Sequence, residues 1–274
     1  MSPDPTTYRE TITRCRQERD ARMTARPQNW LSLAGLFLLE EGDNSFGSEI
    51  KNKIVIDGLP SSCRGSIKVQ ADSASLTGIT PGFSLNGRPP ELRALYADID
   101  KQPDLLEAGP VSMMILKRGD RLLLRVWDAN SVAVKTFKGL KYFPIDPAYC
   151  LTASFIPYDP PKTHKILDAI GFEHENALLG QVRFVLGGQE WSLEVEDADE
   201  EGLISFVDET RKDLTYPGGR FMTLNKPLGE KVTLDFNLAA NWPCAYTSFA
   251  TCPLPPTANH LPVRIEAGEM KYHD

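Results

Sequence analysis

The sequence predicts a mainly β protein: one N-terminal helix, a β-sandwich over residues 30–140, and a second antiparallel β-sandwich or barrel over residues 141–274. Three observations predict it. From residue 46 onward the apolar residues come in short runs rich in Val, Ile and Leu, and Gly, Asp or Pro cuts each run before a helical stripe can build. Two of the cuts, Arg118-Gly119-Asp120 and Gly187-Gly188-Gln189, join apolar runs as hairpin turns. Strand patterns do not alternate with helical ones, which excludes a parallel doubly wound sheet.

The chain opens on its clearest helix, residues 6–25, with Thr6 or Thr7 as its cap and Pro27 just beyond its end, and residues 1–29 read as a helical arm. Its apolar stripe is thin (Tyr8, Ile12, Cys15, Met23). Arg9, Arg14, Arg16, Arg19, Arg22 and Arg26 either pair with neighbouring acids in solvent or lay cations over a pocket or partner. The apolar run Trp30–Leu39 precedes a turn at Gly42, Asp43 and Asn44. KIVID, GSIKVQ, ASLTGI, VSMMILKRG and RLLLRVWD are the strands of the first half. Aromatics and prolines dominate residues 137–161, the crossing between the halves. QVRFVLGGQEWSLEVED, LISFVDET, GRFMTLN, KVTLDFN and LPVRIEAGE carry the second half. Trp30, Tyr142, Phe143, Tyr158, Trp191 and Trp242 are expected as pocket walls or interface.

Bulk properties narrow the function classes. The chain has 274 residues, 41% of them hydrophobic, which is enough for a large core. A net charge of −7 disfavours nucleic acid and anionic membrane as partners. No apolar run approaches the roughly 20 residues of a membrane span. The N-terminus lacks a secretory h-region, so a cytoplasmic location is expected. Cys15, Cys63, Cys150, Cys244 and Cys252 are scattered and odd in number, and reduced thiols are expected. No Cys spacing matches a zinc knuckle, and no glycine-rich phosphate loop or Gly-x-Ser-x-Gly elbow occurs. No cofactor and no metal ligand are assigned.

Residues 46–87 carry Gly47, Asn52, Ile54, Ile56, Ser62, Arg64, Ile67, Leu85, Asn86 and Gly87 in the order found in a forkhead-associated domain, whose core they resemble. The resemblance implies a β-sandwich. That family's phosphate-gripping arginine, directly after the first glycine, is Ser48 here, and its histidine after Ser-Arg is missing, with Gly65 and Ser66 in that region. The implied shape therefore comes without phosphothreonine recognition, leaving Arg64 and Arg88 to hold any partner. A second resemblance is wider. WLSLAGLFLLEEGDNSFGS, FKGLKYFPIDP, FVDET with LTYPGGRF, and the tail from Leu234 to Glu269 are similar to the uncharacterised domain-of-unknown-function family numbered sixteen eighty-four. It implies a mainly β fold and names no reaction.

The tail, LDFNLAANWPCAYTSFATCPLPPTANHLPVRIEAGE, is too irregular for ordinary strands and too apolar to lie in water, so it is expected to fold inward as a lid over a site. Leu234 and Phe236 face one way along LDFN, and Asp235 and Asn237 the other. The turn Tyr216-Pro217-Gly218-Gly219 delivers Arg220, either as a clamp for an anionic group or as the cation of a buried pair with Asp208, Asp235 or Glu269. Glu269 is either an acid–base group or the partner of Arg220 or an N-terminal arginine. Cys244 and Cys252 read as small buried apolar residues, as a nucleophile with His260 nearest in sequence, or as metal ligands. Asn241 and Asn259 suit the backbone groups of the loop.

The expected function is binding of a small polar or anionic organic molecule, with catalysis open. Asp235, Glu269 and Cys244 are the candidate catalytic groups; Arg220, Tyr216, Asn237, Asn241, Cys252 and Asn259 are the candidate ligand contacts. The alternatives are a non-catalytic interaction module of forkhead-associated type and a metal-dependent enzyme built on Cys244, Cys252 or His260. Nucleic acid and membrane are not expected as partners, and a homo-oligomer stays open.

Overall fold

Short apolar runs with a period of two satisfy their backbone groups only by pairing sideways. In the computed structural model, which describes residues 5–167, 171 and 173–273, they do so. Residues 1–4, 168–170, 172 and 274, which the expected arm and second domain include, lie outside the described residues. The protein is mainly β, 45% strand and 15% helix, with one long N-terminal helix and several antiparallel sheets. The chain divides into two compact units, Arg22–Lys138 and, flanking it in sequence, Met1–Ala21 with Gly139–Asp274.

Helix α1 (Pro5–Arg22) opens the flanking unit. It begins before the expected cap, so Thr6 and Thr7 lie inside its first turn.

The inserted unit holds β1 (Leu33–Leu38), β2 (Gly42–Gly47), β3 (Ile54–Val55), β4 (Arg64–Gln70), β5 (Ser73–Ile79), β6 (Ser84–Leu85), β7 (Leu106–Ala108), β8 (Val111–Arg118) and β9 (Arg121–Asp128), then the short α2 (Val132–Thr136). A five-stranded sheet runs β1-β9-β8-β7-β6 and a four-stranded one β3-β2-β4-β5. Both sheets feed one core through residues such as Ile67, Leu76, Met113 and Leu124. Arg118 pairs with Arg121 across the expected hairpin turn.

The flanking unit is built on β10 (Cys150–Leu167), β11 (Glu173–Leu186), β12 (Gln189–Ala198), β13 (Glu201–Asp208), β14 (Arg220–Asn225), β15 (Lys231–Asp235), β16 (Ala240–Asn241) and β17 (His260–Leu261). The sheet runs β15-β10-β11-β12-β13-β14-β16, with β17 parallel to β13. Its order ends in two separate edges, so the barrel alternative is corrected to an open sheet. Ala153, Val182, Phe184, Leu193, Val195, Ile204, Phe206 and Leu234 alternate onto its core face.

Two irregularities in this sheet are filled by polar side chains. β12 and β13 pair only from Glu196 to Leu203 around their hairpin and then part. The Asn259 amide fills the split: it accepts from the Glu194 amide (2.7 Å) and donates to the carbonyls of Glu194 (3.0 Å) and Ser205 (2.8 Å). A side-chain amide there replaces a missing rung of the ladder. The expected strand LPVRIEAGE is regular only at His260–Leu261. Beyond it the carbonyls of Ile265, Ala267 and Glu269 turn to the Arg220 guanidinium. Carbonyls two residues apart point to one side of an extended chain, so one arginine fork takes the place of a neighbouring strand.

Candidate functional site

Leu234 and Phe236 are fully buried, while Asp235 and Asn237 turn together toward α1, as the alternation of LDFN predicts. The Tyr8 hydroxyl reaches both Asp235 oxygens at 2.9 and 2.8 Å. Asn237 Nδ2 donates to Tyr8 (2.9 Å), to the Asp146 carbonyl (2.8 Å) and to Asp235 (3.1 Å). Cys150 lies opposite Asp235 in the ladder. Burial, and then the Asp235 charge, push the Cys150 thiol up to about 11; burial, and then the hydrogen bond to Asp235, hold the Tyr8 phenol far above its ordinary value. Both groups keep their protons, and the cluster joins helix to sheet.

Glu269, Asn241 and Tyr246 form a second cluster with Arg19. Glu269 is 1% exposed and accepts from Arg19 Nε (2.9 Å), the Asn241 amide (2.8 Å) and the Tyr246 hydroxyl (2.6 Å). Burial opposes the Arg19 charge, but Glu269 outweighs it and holds the guanidinium above its usual value. Arg16 donates to the carbonyls of Phe143 (2.8 Å) and Asn237 (3.3 Å) and lies over the Tyr142 ring. Of the two readings of Glu269, the structure has the ion pair with an N-terminal arginine.

Arg220 is wholly enclosed. Nη2 meets Asp208 at 3.0 Å and the Ile265 carbonyl at 3.0 Å, and Nη1 meets the carbonyls of Ala267 and Glu269. Asp208 also accepts from the Ile265 and Thr210 amides and the Thr210 hydroxyl. The turn before Arg220 needs Gly219: its φ is +92°, and a Cβ would come within 2.8 Å of Pro255. Tyr216 lies beside Cys244 and Cys252; burial first, then the two thiols, raise its pKa. The Cys244 amide donates to Cys252 Sγ at 3.2 Å, and the Cys252 amide to Cys244 Sγ at 3.4 Å.

The sequence-derived residues thus fall into separate groups: Asp235 with Asn237, Glu269 with Asn241, Arg220 with Asp208, Tyr216 with Cys244 and Cys252, and Asn259 in the sheet split. Their polar groups largely meet one another, which leaves a ligand little to bind.

Open polar groups gather instead on the outward face of β11 and β12. There a groove of about 410 Å³ has Gln181, Arg183, Glu190, Trp191 and Ser192 on its sheet side, with Ala258–Pro262 as the other wall. Asn259 fixes that wall by bridging β12 and β13. Arg183 stands opposite Ser192 in the ladder, and Glu190 is a diagonal neighbour. Among the described residues, the side chains of Arg183, Glu190 and His260 have no hydrogen-bond or ion-pair partner. Sequence reasoning named Trp191 as a wall and His260 as a base but passed over Gln181, Arg183, Glu190 and Ser192. Their signal was the polar phase of QVRFV and QEWSL, complementary to Val182, Phe184 and Leu193.

His164 and His174 lie in β10 and β11. His164 Nε2 is buried 3.9 Å from Glu196, which accepts from Asn176 (2.9 Å) and Ser205 (3.1 Å). Among the described residues no three His, Cys, Asp or Glu side chains converge as metal ligands would. In the inserted unit Arg64 and Arg88 are exposed, and Ser48 follows β2. Among the described residues no helix is long and apolar enough to cross a membrane.

A family model described as "Protein of unknown function (DUF1684)" matches residues 135–270, beginning well after the expected Trp30. No match is found among curated proteins. Among solved structures, the chain is similar to an uncharacterized protein of Haloarcula marismortui determined by solution NMR: 32% identity over 50% of this chain and 78% of that one, with a TM-score of 0.43. The forkhead-associated resemblance has no counterpart among these matches.

Proposed function

This chain belongs, through residues 135–270, to the family of unknown function DUF1684, and from that premise we propose that it binds a small polar or anionic organic molecule in the groove between β11, β12 and the Ala258–Pro262 segment. One observation carries the proposal: Arg183 lines the groove, exposed, with no hydrogen bond or ion pair from its guanidinium to a described residue. A planar fork of donors in that state suits a carboxylate or phosphate. The volume falls within the roughly 300–1,000 Å³ of ordinary small-molecule sites. Gln181 and Ser192 offer neutral hydrogen bonds, while Trp191, in phase with Phe184, packs against the core behind the strand.

Glu190 and His260 stand on opposite sides of this space, so a bound molecule could exchange a proton with either. The ligand contact moves from Arg220 to Arg183 because the Arg220 fork is filled by Asp208 and three carbonyls. A non-catalytic interaction module in the inserted unit is the weaker reading, since Ser48 stands where forkhead-associated domains hold phosphate with arginine.

A thermal-shift screen of small carboxylates and sugar phosphates tests the proposal. A member of the panel should raise the melting temperature of the wild type. Arg183→Ala should weaken its binding roughly ten- to a hundredfold, as expected for loss of a charge-assisted bond of about 1.5–3 kcal/mol. The melting temperature without ligand should move little, because Arg183 is exposed and makes no hydrogen bond or ion pair with a described residue. A shift that survives Arg183→Ala places the ligand elsewhere.

A further inference from the structure

The tail also presents two thiols to each other. Cys244 and Cys252 flank a short loop, with Pro243 before it and Pro253, Pro255 and Pro256 after it. Each sulfur accepts the other residue's backbone N–H, at 3.2 and 3.4 Å. Adding one N–Cα bond puts each sulfur within roughly 5 Å of its partner's Cα. A disulfide requires Cα atoms about 4.4–6.8 Å apart and Cβ atoms facing each other. The reciprocal contacts hold the two residues side by side, and closing the bond requires their side chains to turn from the backbone amides toward each other. The prolines limit the backbone freedom that would otherwise separate the pair. The other cysteines have different surroundings: Cys150 faces Tyr8 and Asp235, Cys63 lies in the inserted unit, and Cys15 is on α1.

We propose that Cys244 and Cys252 form a redox modification site, a dithiol that closes to an intramolecular disulfide by exchange with low-molecular-weight disulfides. Cys244 is half-buried and Cys252 only 7% exposed, so Cys244 reacts first. Its thiolate attacks one sulfur of the small disulfide; a mixed disulfide forms, and one small thiol leaves, taking up a proton equal to the one Cys244 gave. The Cys252 thiolate then attacks the Cys244 sulfur, and the second small thiol leaves in the same way. The two cysteines lose two electrons together, and the small disulfide gains them. The N–H groups that point at the sulfurs stabilise each thiolate as it forms. Tyr216 packs beside the pair, and Pro255 packs on Gly219, so the new bond would tie the ribbon down over the turn that leads to Arg220.

The test incubates the full-length protein with oxidised glutathione, blocks the remaining thiols, and maps peptides by mass spectrometry. The expected result is a cross-linked Cys244–Cys252 peptide, with two of the five thiols lost by colorimetric titration and recovered by dithiothreitol. Cys252→Ser should stop at a glutathione adduct on Cys244, and Cys244→Ser should leave Cys252 unmodified. These measurements need only a folded chain, and the wild-type map stands if either variant folds poorly. Separate adducts on both cysteines, a cross-link to Cys15, Cys63 or Cys150, or no change at concentrations that modify Cys15 would each overturn the proposal.

Discussion

Arg220 stands in the inward row of β14 with Met222 and Leu224, so its cation lies within the core of its unit. Desolvation pushes its pKa down, and Asp208 pushes it back up. Such a pair adds little over an apolar one, but removing one partner strands the other's charge. Arg220→Ala should therefore cost about 3–5 kcal/mol, read as a lower urea midpoint. The double change Arg220→Ala with Asp208→Ala should cost less than the sum of the two single changes. Equal additivity would mean that Asp208 is served well enough by Thr210 and Ile265 alone. The structural role was partly legible, since GRFMTLN places Arg220 in phase with Met222 and Leu224. What the sequence left hidden was the partner: Asp208, Asp235 and Glu269 all sit near apolar strands, and only the folded backbone shows which carboxylate shares the cavity.

Helix α1 illustrates the same limit at the level of an element. Its apolar stripe is thin because the face it presents to its own unit is partly arginine: Arg16 and Arg19 insert where aliphatic side chains would be expected, and carbonyls and Glu269 receive them. A pattern of hydrophobic spacing cannot see a face whose contacts are hydrogen bonds. The contrast between arginines is testable. Arg19→Ala leaves Glu269 buried without its cation and should destabilise by about 3 kcal/mol or more. Arg14→Ala, on the exposed side of the same helix, should change stability by less than about 0.5 kcal/mol. Urea denaturation of the two variants measures both, and similar small effects would mean that α1 is only loosely held. Strand elements were read more easily: β4, β5, β8, β9, β11, β12, β13 and β14 all begin or end near a Gly, Asp or Pro visible in the sequence. The split between β12 and β13 was not visible, because Asn259, which fills it, comes from a loop far along the chain.

For the molecule as a whole, the clusters that hold α1 to its sheet share one property: they contain acids that stay protonated. Burial, then Asp235, raises the pKa of Tyr8 and Cys150, and burial, then Glu269, raises that of Tyr142 and Tyr246. A group whose pKa rises on folding binds its proton more tightly in the folded state. Its stabilisation is complete below the unfolded-state value and is lost as pH climbs through the folded-state value. For Cys150 that window runs from 9.0 to about 11, and the tyrosines extend the loss to higher pH. The melting temperature should therefore begin to fall above pH 9 and continue falling as the phenols come under strain. The net charge of −7 also grows more negative over this range, and general repulsion would depress stability as well. Cys150→Ala separates the two causes: it removes one titrating group and leaves the rest of the charge in place, so it should flatten the first part of the decline and spare the later part. A Cys150→Ala curve parallel to wild type between pH 9 and 11 would assign the loss to repulsion and break the link between these buried protons and the docking of α1.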